Sequence, residues 1–245
     1  MKLAVFLLAG GGIRLKPYTN EVPKCLVEIN GKPLLIRMLD YLEEGGIERV
    51  ILVIGYKGEK IIEAVGYRWK NIKIEYVENN DWATTNNVVS LNLALPNIDQ
   101  NFILLEGDLI FTREAFKPLF YPDRMAVADY QNHMSGTLVD IDINNVVTRF
   151  IMNDELLKEE KAVLYKTVNL YSFDYQNFNG LIAPKLQELI DSGQKQVYYE
   201  QAIADAVMAA GYITTVVNFH GTPWYEIDTE EDLIKARKIF EKIDI

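Results

Sequence analysis

Thiol and imidazole chemistry are almost absent from the 245 residues: the chain has one cysteine and two histidines. A single cysteine, Cys25, excludes an internal disulfide framework and fits a reducing, cytoplasmic setting. It follows Lys24, but no histidine lies near it in sequence to activate a thiolate. Cys25 therefore reads as a small apolar residue beneath a loop rather than a nucleophile. His133 and His220 stand apart from any Cys or Asp/Glu cluster with zinc spacing and read as structural. No run of eighteen apolar residues occurs, so neither a membrane span nor a membrane partner is expected. The N-terminus lacks the basic region and small-residue cleavage site of a secretory signal. Basic residues are in deficit, 25 Lys+Arg against 35 Asp+Glu, giving a net charge of -10. An acidic chain has no basic face for nucleic acid, which is excluded as a partner. Linkers, repeats and low-complexity stretches are also missing, so residues 1–245 are expected to form one domain.

Apolar residues are plentiful, at 49%, enough to bury a full core. In the first half, strand-like runs alternate with helical periodicity. Leu3–Leu8, Val50–Ile54, Ile72–Val77 and Phe102–Leu105 read as strands. Between them Pro33–Leu42, Gly58–Ala64 and Asn86–Leu93 read as helices. Such alternation implies an α/β fold, with a mixed, mostly parallel sheet flanked by helices. From about Met125 the pattern changes. Long strands are expected over Met134–Ile143 and Val163–Phe173, with no helix between them. Helices are expected over Gln176–Asp191, Tyr198–Ala210 and Glu230–Lys242, and a strand over Ile213–Phe219. Residues 1–124 then form a nucleotide-binding half, and residues 125–245 an acceptor-binding half that serves as a lid.

Residues 7–24 carry the most information. The first strand runs into Ala9-Gly10-Gly11-Gly12, followed by Arg14 and by Pro23-Lys24. Glycines after a strand let backbone N–H groups approach a polyphosphate without interference from Cβ atoms. The first twenty residues contain Lys2, Arg14 and Lys16 and no carboxylate, a local reversal of sign that points to an anionic ligand. Arg14 and Lys24 can supply the positive charge needed to transfer a phosphoryl-type group. Two common phosphate loops do not fit. The P-loop's Gly-Lys-Ser/Thr is absent, and the dinucleotide fingerprint lacks its third glycine, Leu15 standing in its place.

Two acidic stretches fall where ligands of such sheets bind, beyond the carboxyl ends of strands. Glu106-Gly107-Asp108 follows the fourth strand, and Tyr225-Glu226-Ile227-Asp228 precedes the last helix. Magnesium near a triphosphate takes one or two carboxylates plus phosphate and water oxygens, which suits Asp108 and Asp228. Asp228 could instead cap the helix that follows. Asp140-Ile141-Asp142 has the spacing of a glycosyltransferase metal motif, but reads as a solvated strand face. The stretch Val77–Leu91 is dense in amides and hydroxyls. Asn79, Asn86 and Asn87 could read the edge of a base, or the segment could be a turn followed by a capped helix start. Thr84 and Thr85 fit either reading.

Residue for residue, the loop resembles the signature of the sugar-phosphate nucleotidyltransferases, Leu-Ala-Ala-Gly-x-Gly-Thr/Ser-Arg-Leu-x-Pro-x-Thr followed by Pro-Lys. Ile13 departs from it where the family has a hydroxyl. Asn86-Asn87-x-x-Ser90-Leu91 and Tyr225-Glu226-Ile227-Asp228 are similar to bacterial choline-phosphate cytidylyltransferases. Asp108-Leu109-Ile110 and Tyr199-Glu200-Gln201-Ala202 are similar to 2-aminoethylphosphonate cytidylyltransferases. Lys166-Thr167-Val168-Asn169 looks like related domains fused to aminotransferases. The resemblance implies a Rossmann-like (GT-A-type) domain and a Mg²⁺-dependent transfer of CMP from CTP to a small phosphorylated alcohol or phosphonate.

It further implies that Leu8, Ala9, Gly10, Gly11, Gly12, Asn79, Asn86, Asn87, Ser90 and Glu106 hold the nucleotide. Lys166, Asn169, Glu200 and Glu226 would meet the acceptor, with Tyr171, Trp224 and Tyr225 as an aromatic wall for a quaternary ammonium. Arg14 and Lys24 would be catalytic, and Asp108 and Asp228 the metal ligands. The alternatives are a sugar-1-phosphate uridylyl- or thymidylyltransferase, a GT-A glycosyltransferase, and a nucleotide-binding module without turnover. A homodimer is compatible with the sequence. The chain ends without hexapeptide repeats, so the β-helix acyltransferase domain of some relatives is not expected.

Overall fold

The computed structural model describes residues 1–131, 134–152 and 164–243. In chain order the first half contains β1 (Leu3–Leu8), β2 (Glu28–Ile29), β3 (Lys32–Pro33), α1 (Leu34–Glu44), β4 (Arg49–Ile54) and α2 (Gly58–Val65). It continues with β5 (Arg68–Trp69), β6 (Ile72–Glu78), α3 (Asn87–Ala94), β7 (Phe102–Glu106) and β8 (Leu109–Phe111). The second half begins with α4 (Arg113–Phe116), β9 (Arg124–Asp129), β10 (Leu138–Ile141), β11 (Val147–Ile151) and β12 (Tyr165–Phe173). After these come α5 (Tyr175–Asn177), α6 (Ala183–Asp191), α7 (Glu200–Ala210), β13 (Thr215–Asn218), β14 (Trp224–Glu226) and α8 (Glu230–Ile239).

The main sheet has the order β11-β10-β12-β7-β1-β4-β6-β5, with β9 paired to β12 and β13 to β9. Its centre, β7-β1-β4-β6, is parallel. The second half joins it through β12, which lies antiparallel to β7. β1 is buried along its whole length, as a central strand covered on both faces must be, hence its unbroken apolar run. Ala4, Phe6 and Leu8 face a core shared with α1, α2 and α8. Leu3, Val5 and Leu7 face a second core shared with α3, α6 and α7.

Several expected elements shift, each for a local reason. Only Leu138–Ile141 of the expected strand 134–143 is a strand; Gly136 before it has a φ of 104°, a conformation reserved for glycine. β9 and β11 were hidden in the sequence because each is a short apolar run between charges, ambiguous without its partner strand. The helical run from Tyr175 to Asp191 contains a π-helical turn at Phe178–Ile182. Pro184 follows that turn and lacks the N–H a regular helix would use, which accounts for the widening. The last helix ends at Ile239, followed by a 3₁₀ turn over Phe240–Lys242. The expected strand start at Val163 lies outside the described residues, as does His133.

A small ribbon positions the site. β14 pairs antiparallel with β8, Glu226 opposite Leu109, and Ile227 N–H donates to Asp108 O at 2.9 Å. These bonds bring Asp228 beside Asp108 although 120 residues separate them. Gly107 allows the approach: a Cβ there would lie 2.3 Å from Leu8 Cδ2 and 2.9 Å from Cys25 Cβ.

The cap of α8 is Thr229, not Asp228. Thr229 Oγ1 accepts from Asp232 N–H at 3.2 Å, and Asp232 Oδ2 accepts from Thr229 N–H at 2.8 Å, a reciprocal capping box. Asp228 is therefore not needed to start the helix. Losing such a cap costs about 1 kcal/mol, so Thr229→Ala should lower Tm by about 2–4 °C in a chain of this size. An unchanged Tm in a melting experiment would contradict the assignment.

Candidate active site

A cavity of about 780 Å³ opens beyond the carboxyl ends of β1 and β7. One wall is the glycine loop, Ala9 to Arg14. Gly12 has φ 57°, and a Cβ there would lie 3.0 Å from Thr19 Cγ2 and 3.2 Å from Lys24 Cβ. Thr19 Oγ1 donates to Gly12 O at 2.8 Å. The loop is thus held from behind by Thr19. Cys25 is buried under it with its thiol pushed up to about 12, chiefly by burial, and is inert as a nucleophile.

Among the described residues, eight charged side chains line the cavity: Glu106, Asp108, Glu200, Glu226 and Asp228 against Arg14, Lys24 and Lys166. Lys24 Nζ donates to Asp108 Oδ2 and to Asp228 Oδ1, each at 2.7 Å. Arg14 Nη2 reaches Asp228 Oδ1 at 2.9 Å. Burial disfavours the Lys24 charge, but the two aspartates outweigh it and raise its pKa above the ordinary lysine value. Burial likewise opposes ionisation of Asp228, and Lys24 with Arg14 overcomes it, leaving the pKa lowered.

The other carboxylates go the opposite way. Glu106 is raised well above the usual range by burial and then by the charges of Asp108, Glu200 and Glu226. Glu226 is pushed up to about 7 by burial, with Asp108 and Asp228 adding to the shift and Lys166 opposing it. Among the described residues, carboxyl groups outnumber cations in the cavity by five to three. Protons relieve part of that imbalance.

The amides expected at the base all line the cavity, and each already makes hydrogen bonds within the protein. Asn79 is buried; its Oδ1 accepts from Asp81 N–H at 3.0 Å and its Nδ2 donates to Ser90 Oγ at 3.0 Å. Asn86 caps α3, accepting from Asn87 N–H at 2.8 Å and donating to Gln196 O at 3.1 Å. Asn87 bonds Tyr199 N–H at 3.0 Å and Glu106 Oε1 at 3.1 Å. These bonds also brace the turn at 79–85 and the loop before α7.

At the far end, Lys166, Asn169, Glu200 and Glu226 come together as expected. The Lys166 side chain is 3% exposed, with Nζ donating to Thr167 O at 2.6 Å and lying 3.7 Å from Glu226 Oε2. Asn169 Nδ2 reaches Glu226 Oε1 at 3.4 Å. The aromatic wall does not form. Tyr171 is in the core, its hydroxyl donating to Glu200 Oε1 from behind at 3.1 Å. Trp224 and Tyr225 pack against the core on β14 and do not line the cavity. On β14 they stand opposite Phe111 and Ile110 of β8.

Residues not singled out in the sequence also line the cavity: Trp82, Ser135, Gly136, Thr137 and Tyr198. A glycine inside an apparent strand, Gly136, was the available signal for close approach. A Cβ there would lie 3.1 Å from Lys166 Nζ. Asp140 and Asp142 lie outside the cavity, Asp140 paired with Arg149 at 2.6 Å and Asp142 capping the 142–146 turn. His220 is exposed beside Asp129.

Asp108, Glu226 and Asp228 each offer an oxygen within 4.8 Å of the others. Asp108 Oδ1 is buried with no hydrogen-bond partner among the described residues. An orphaned carboxylate oxygen in an all-oxygen donor set fits a hard divalent cation. Without metal, Glu226 makes a testable contribution to stability. Its folded pKa of about 7 lies above the ordinary carboxyl value of 4.5, so the native state binds the proton more tightly. The resulting stabilisation is full below about pH 4.5 and lost as pH rises through 7. In chelator, Glu226→Gln should therefore gain stability relative to wild type between pH 5 and 8, by about 1–3 kcal/mol. A difference in Tm that does not change with pH would contradict this.

The model of the MobA-like NTP transferase domain matches residues 4–206. The CMP-5'-(3-aminopropyl)phosphonate synthase of Streptomyces rubellomurinus is 34% identical over 237 residues, covering 95% of this chain and 38% of that protein. The bifunctional protein GlmU of Methanococcus vannielii is 26% identical over 239 residues, covering 98% of this chain and 55% of its own length. The chain thus spans about half or less of these relatives. The solved CTP:phosphocholine cytidylyltransferase of Streptococcus pneumoniae superposes with a TM-score of 0.81 at 22% identity, covering 98% of this chain and 100% of that one. With its glycine loop, its acidic strand ends and a family match over most of its length, the chain belongs to the MobA-like NTP transferase family.

Proposed function

We propose that the chain is a Mg²⁺-dependent cytidylyltransferase, transferring CMP from CTP to a small phosphate- or phosphonate-bearing acceptor with an ammonium at its other end. The excess of carboxylates in the cavity carries this reading. A nucleoside triphosphate is itself anionic, so the loaded site needs further cations. A divalent ion at Asp108 and Asp228 supplies one, and an ammonium facing Glu200 supplies another. Glu200 is buried at the cavity floor with Oε1 held by Tyr171 and Thr167, a fixed acceptor for N–H donors. Trp82 and Tyr198 are the aromatic side chains lining the cavity among the described residues. Cytidine is favoured by the likeness to the Streptomyces synthase.

In this reading residues 1–124 hold the nucleotide and the second half supplies the acceptor site together with Asp228. Gly10 to Gly12 present backbone N–H groups to the phosphates. The acceptor's phosphate or phosphonate oxygen, already anionic, attacks the α-phosphorus in line; the bond from that phosphorus to the bridging oxygen breaks, and pyrophosphate leaves. No covalent enzyme intermediate is required. Lys166 orients the acceptor anion, and Arg14 and Lys24 stabilise charge in the transition state. The raised pKa of Lys24 keeps it cationic throughout the neutral range. Bound Mg²⁺ contributes charge neutralisation at the phosphates. Ser90 and Glu106 support the nucleotide wall through Asn79 and Asn87. CTP supply places the reaction in the cytoplasm.

The test is pyrophosphate release with CTP or UTP and a panel of acceptors: 2-aminoethylphosphonate, 3-aminopropylphosphonate, phosphoethanolamine, phosphocholine and glucose 1-phosphate. Turnover is expected with CTP and the primary amines. Glu200→Gln should raise the KM for the amine by about tenfold or more, the cost of weakening a charged hydrogen bond, while leaving that for CTP unchanged. Preference for UTP with glucose 1-phosphate would reject the proposal.

A further inference from the structure

Trp82 sits in the amide-rich stretch between β6 and α3, and its surroundings are unusually specific. A Cβ on Gly11 would lie 3.2 Å from Trp82 Cζ3, and one on Gly55 would lie 2.9 Å from Trp82 Cβ. Two glycines therefore leave room for this one side chain. Its ring meets Tyr56 edge-on, with centroids 5.3 Å apart. Tyr56 in turn is tied to the glycine loop, its N–H donating to Ala9 O at 3.0 Å and its hydroxyl to Thr19 O at 2.9 Å.

The turn that carries Trp82 is as firmly held. Asn79 Oδ1 accepts from Asp81 N–H, and Thr84 N–H and Thr85 Oγ1 both donate to Asp81 O at 2.9 Å. Gln196 reaches across from the loop before α7 to Thr84 O. Yet the indole itself is only half-buried and lines the cavity. Its Nε1–H makes no hydrogen bond to the described residues, whereas that of Trp69 is bonded to Asp40. A rigidly mounted ring with a face and a donor left open is a stacking platform rather than a core residue.

We infer that Trp82 is a nucleoside-binding residue: its indole forms the apolar wall against which the ribose and base of the bound nucleotide pack, beside the loop that takes the phosphates. The inference rests on the nucleotidyltransferase reading of the cavity. It also gives the amides a purpose, since Asn79 and Asn86 hold the turn that presents the ring. Ile13 bears on the same place. It is 73% exposed, and its Cγ1 would be 3.8 Å from a Cβ on Gly11, so it borders the platform on the loop side.

The chain has three tryptophans, Trp69, Trp82 and Trp224, so emission can be assigned by substitution. CTP and CMP, each with Mg²⁺, should change the fluorescence of the wild type and leave that of Trp82→Phe nearly unchanged. Pyrophosphate with Mg²⁺ should change neither. By calorimetry, Trp82→Ala should bind CTP on the order of tenfold to a hundredfold more weakly, as loss of one stacked base predicts, and Trp82→Phe should recover most of the affinity. Acceptor KM should not move in either variant. Equal CTP affinity in wild type and Trp82→Ala overturns the inference and leaves the enzyme assignment standing. A fluorescence change of equal size with pyrophosphate also overturns it, placing the ring at the phosphates. Failure of the wild type to bind any nucleoside triphosphate rejects both. Should Trp82→Ala not fold, Trp82→Leu carries the affinity arm, and the fluorescence arm with Trp82→Phe decides independently.

Discussion

Lys24 Nζ lies 2.7 Å from Asp108 and 2.7 Å from Asp228, and the arrangement of the whole cavity depends on that bridge. Carboxylates on two strand ends, 120 residues apart in sequence, face one another across a few ångströms. Two such charges out of bulk water repel strongly unless a cation lies between them. The β8–β14 ribbon imposes the closeness through backbone bonds, and Gly107 removes the side chain that would prevent it. Lys24, which packs against Gly12 of the glycine loop, then neutralises the pair. Glycine loop, ribbon and lysine are parts of one device.

The remaining acids follow from the same crowding. Burial first, and then the charges of neighbouring carboxylates, raise the pKa values of Glu106 and Glu226. Strongly shifted groups gathered in a cleft are a signature of a functional site. Here they have a direction as well, because the excess is negative at the end distant from the glycine loop. Glu200, held in place by a tyrosine and a threonine, offers a fixed acceptor at the end that holds Lys166. A zwitterionic acceptor, anion toward Lys166 and cation toward Glu200, matches both.

Much of this was legible in the sequence, for identifiable reasons. Strands buried on both faces are continuous apolar runs, so β1, β4 and β7 announce themselves, and a ligand loop after β1 follows from Gly10-Gly11-Gly12. Asp108 could be placed because it immediately follows β7. What could not be read depends on long-range register. Whether Asp228 or Thr229 caps α8 is decided by a bond from Thr229 to Asp232. Whether Tyr171 and Trp224 face the cavity is decided by the pairing of β12 and β14. That Asn79, Asn86 and Asn87 also brace their surroundings could not be read, because their partners Ser90, Gln196 and Tyr199 are fixed only by the fold. Trp82 was hidden among them: an aromatic residue in a turn carries no signal until Gly11 and Gly55 are seen to make room for it.

The central claim is that the cavity accepts an anionic nucleotide only together with an added divalent cation, because Lys24 and Arg14 are already engaged by Asp108 and Asp228. Calorimetric titration of the protein with CTP, in Mg²⁺ and in EDTA at equal ionic strength, tests it directly. Binding in EDTA should be weaker by about a hundredfold or more, corresponding to roughly 3 kcal/mol of lost charge compensation. Equal affinity under the two conditions would mean that Arg14, Lys24 and Lys166 suffice, and that the excess of carboxylates has no part in binding.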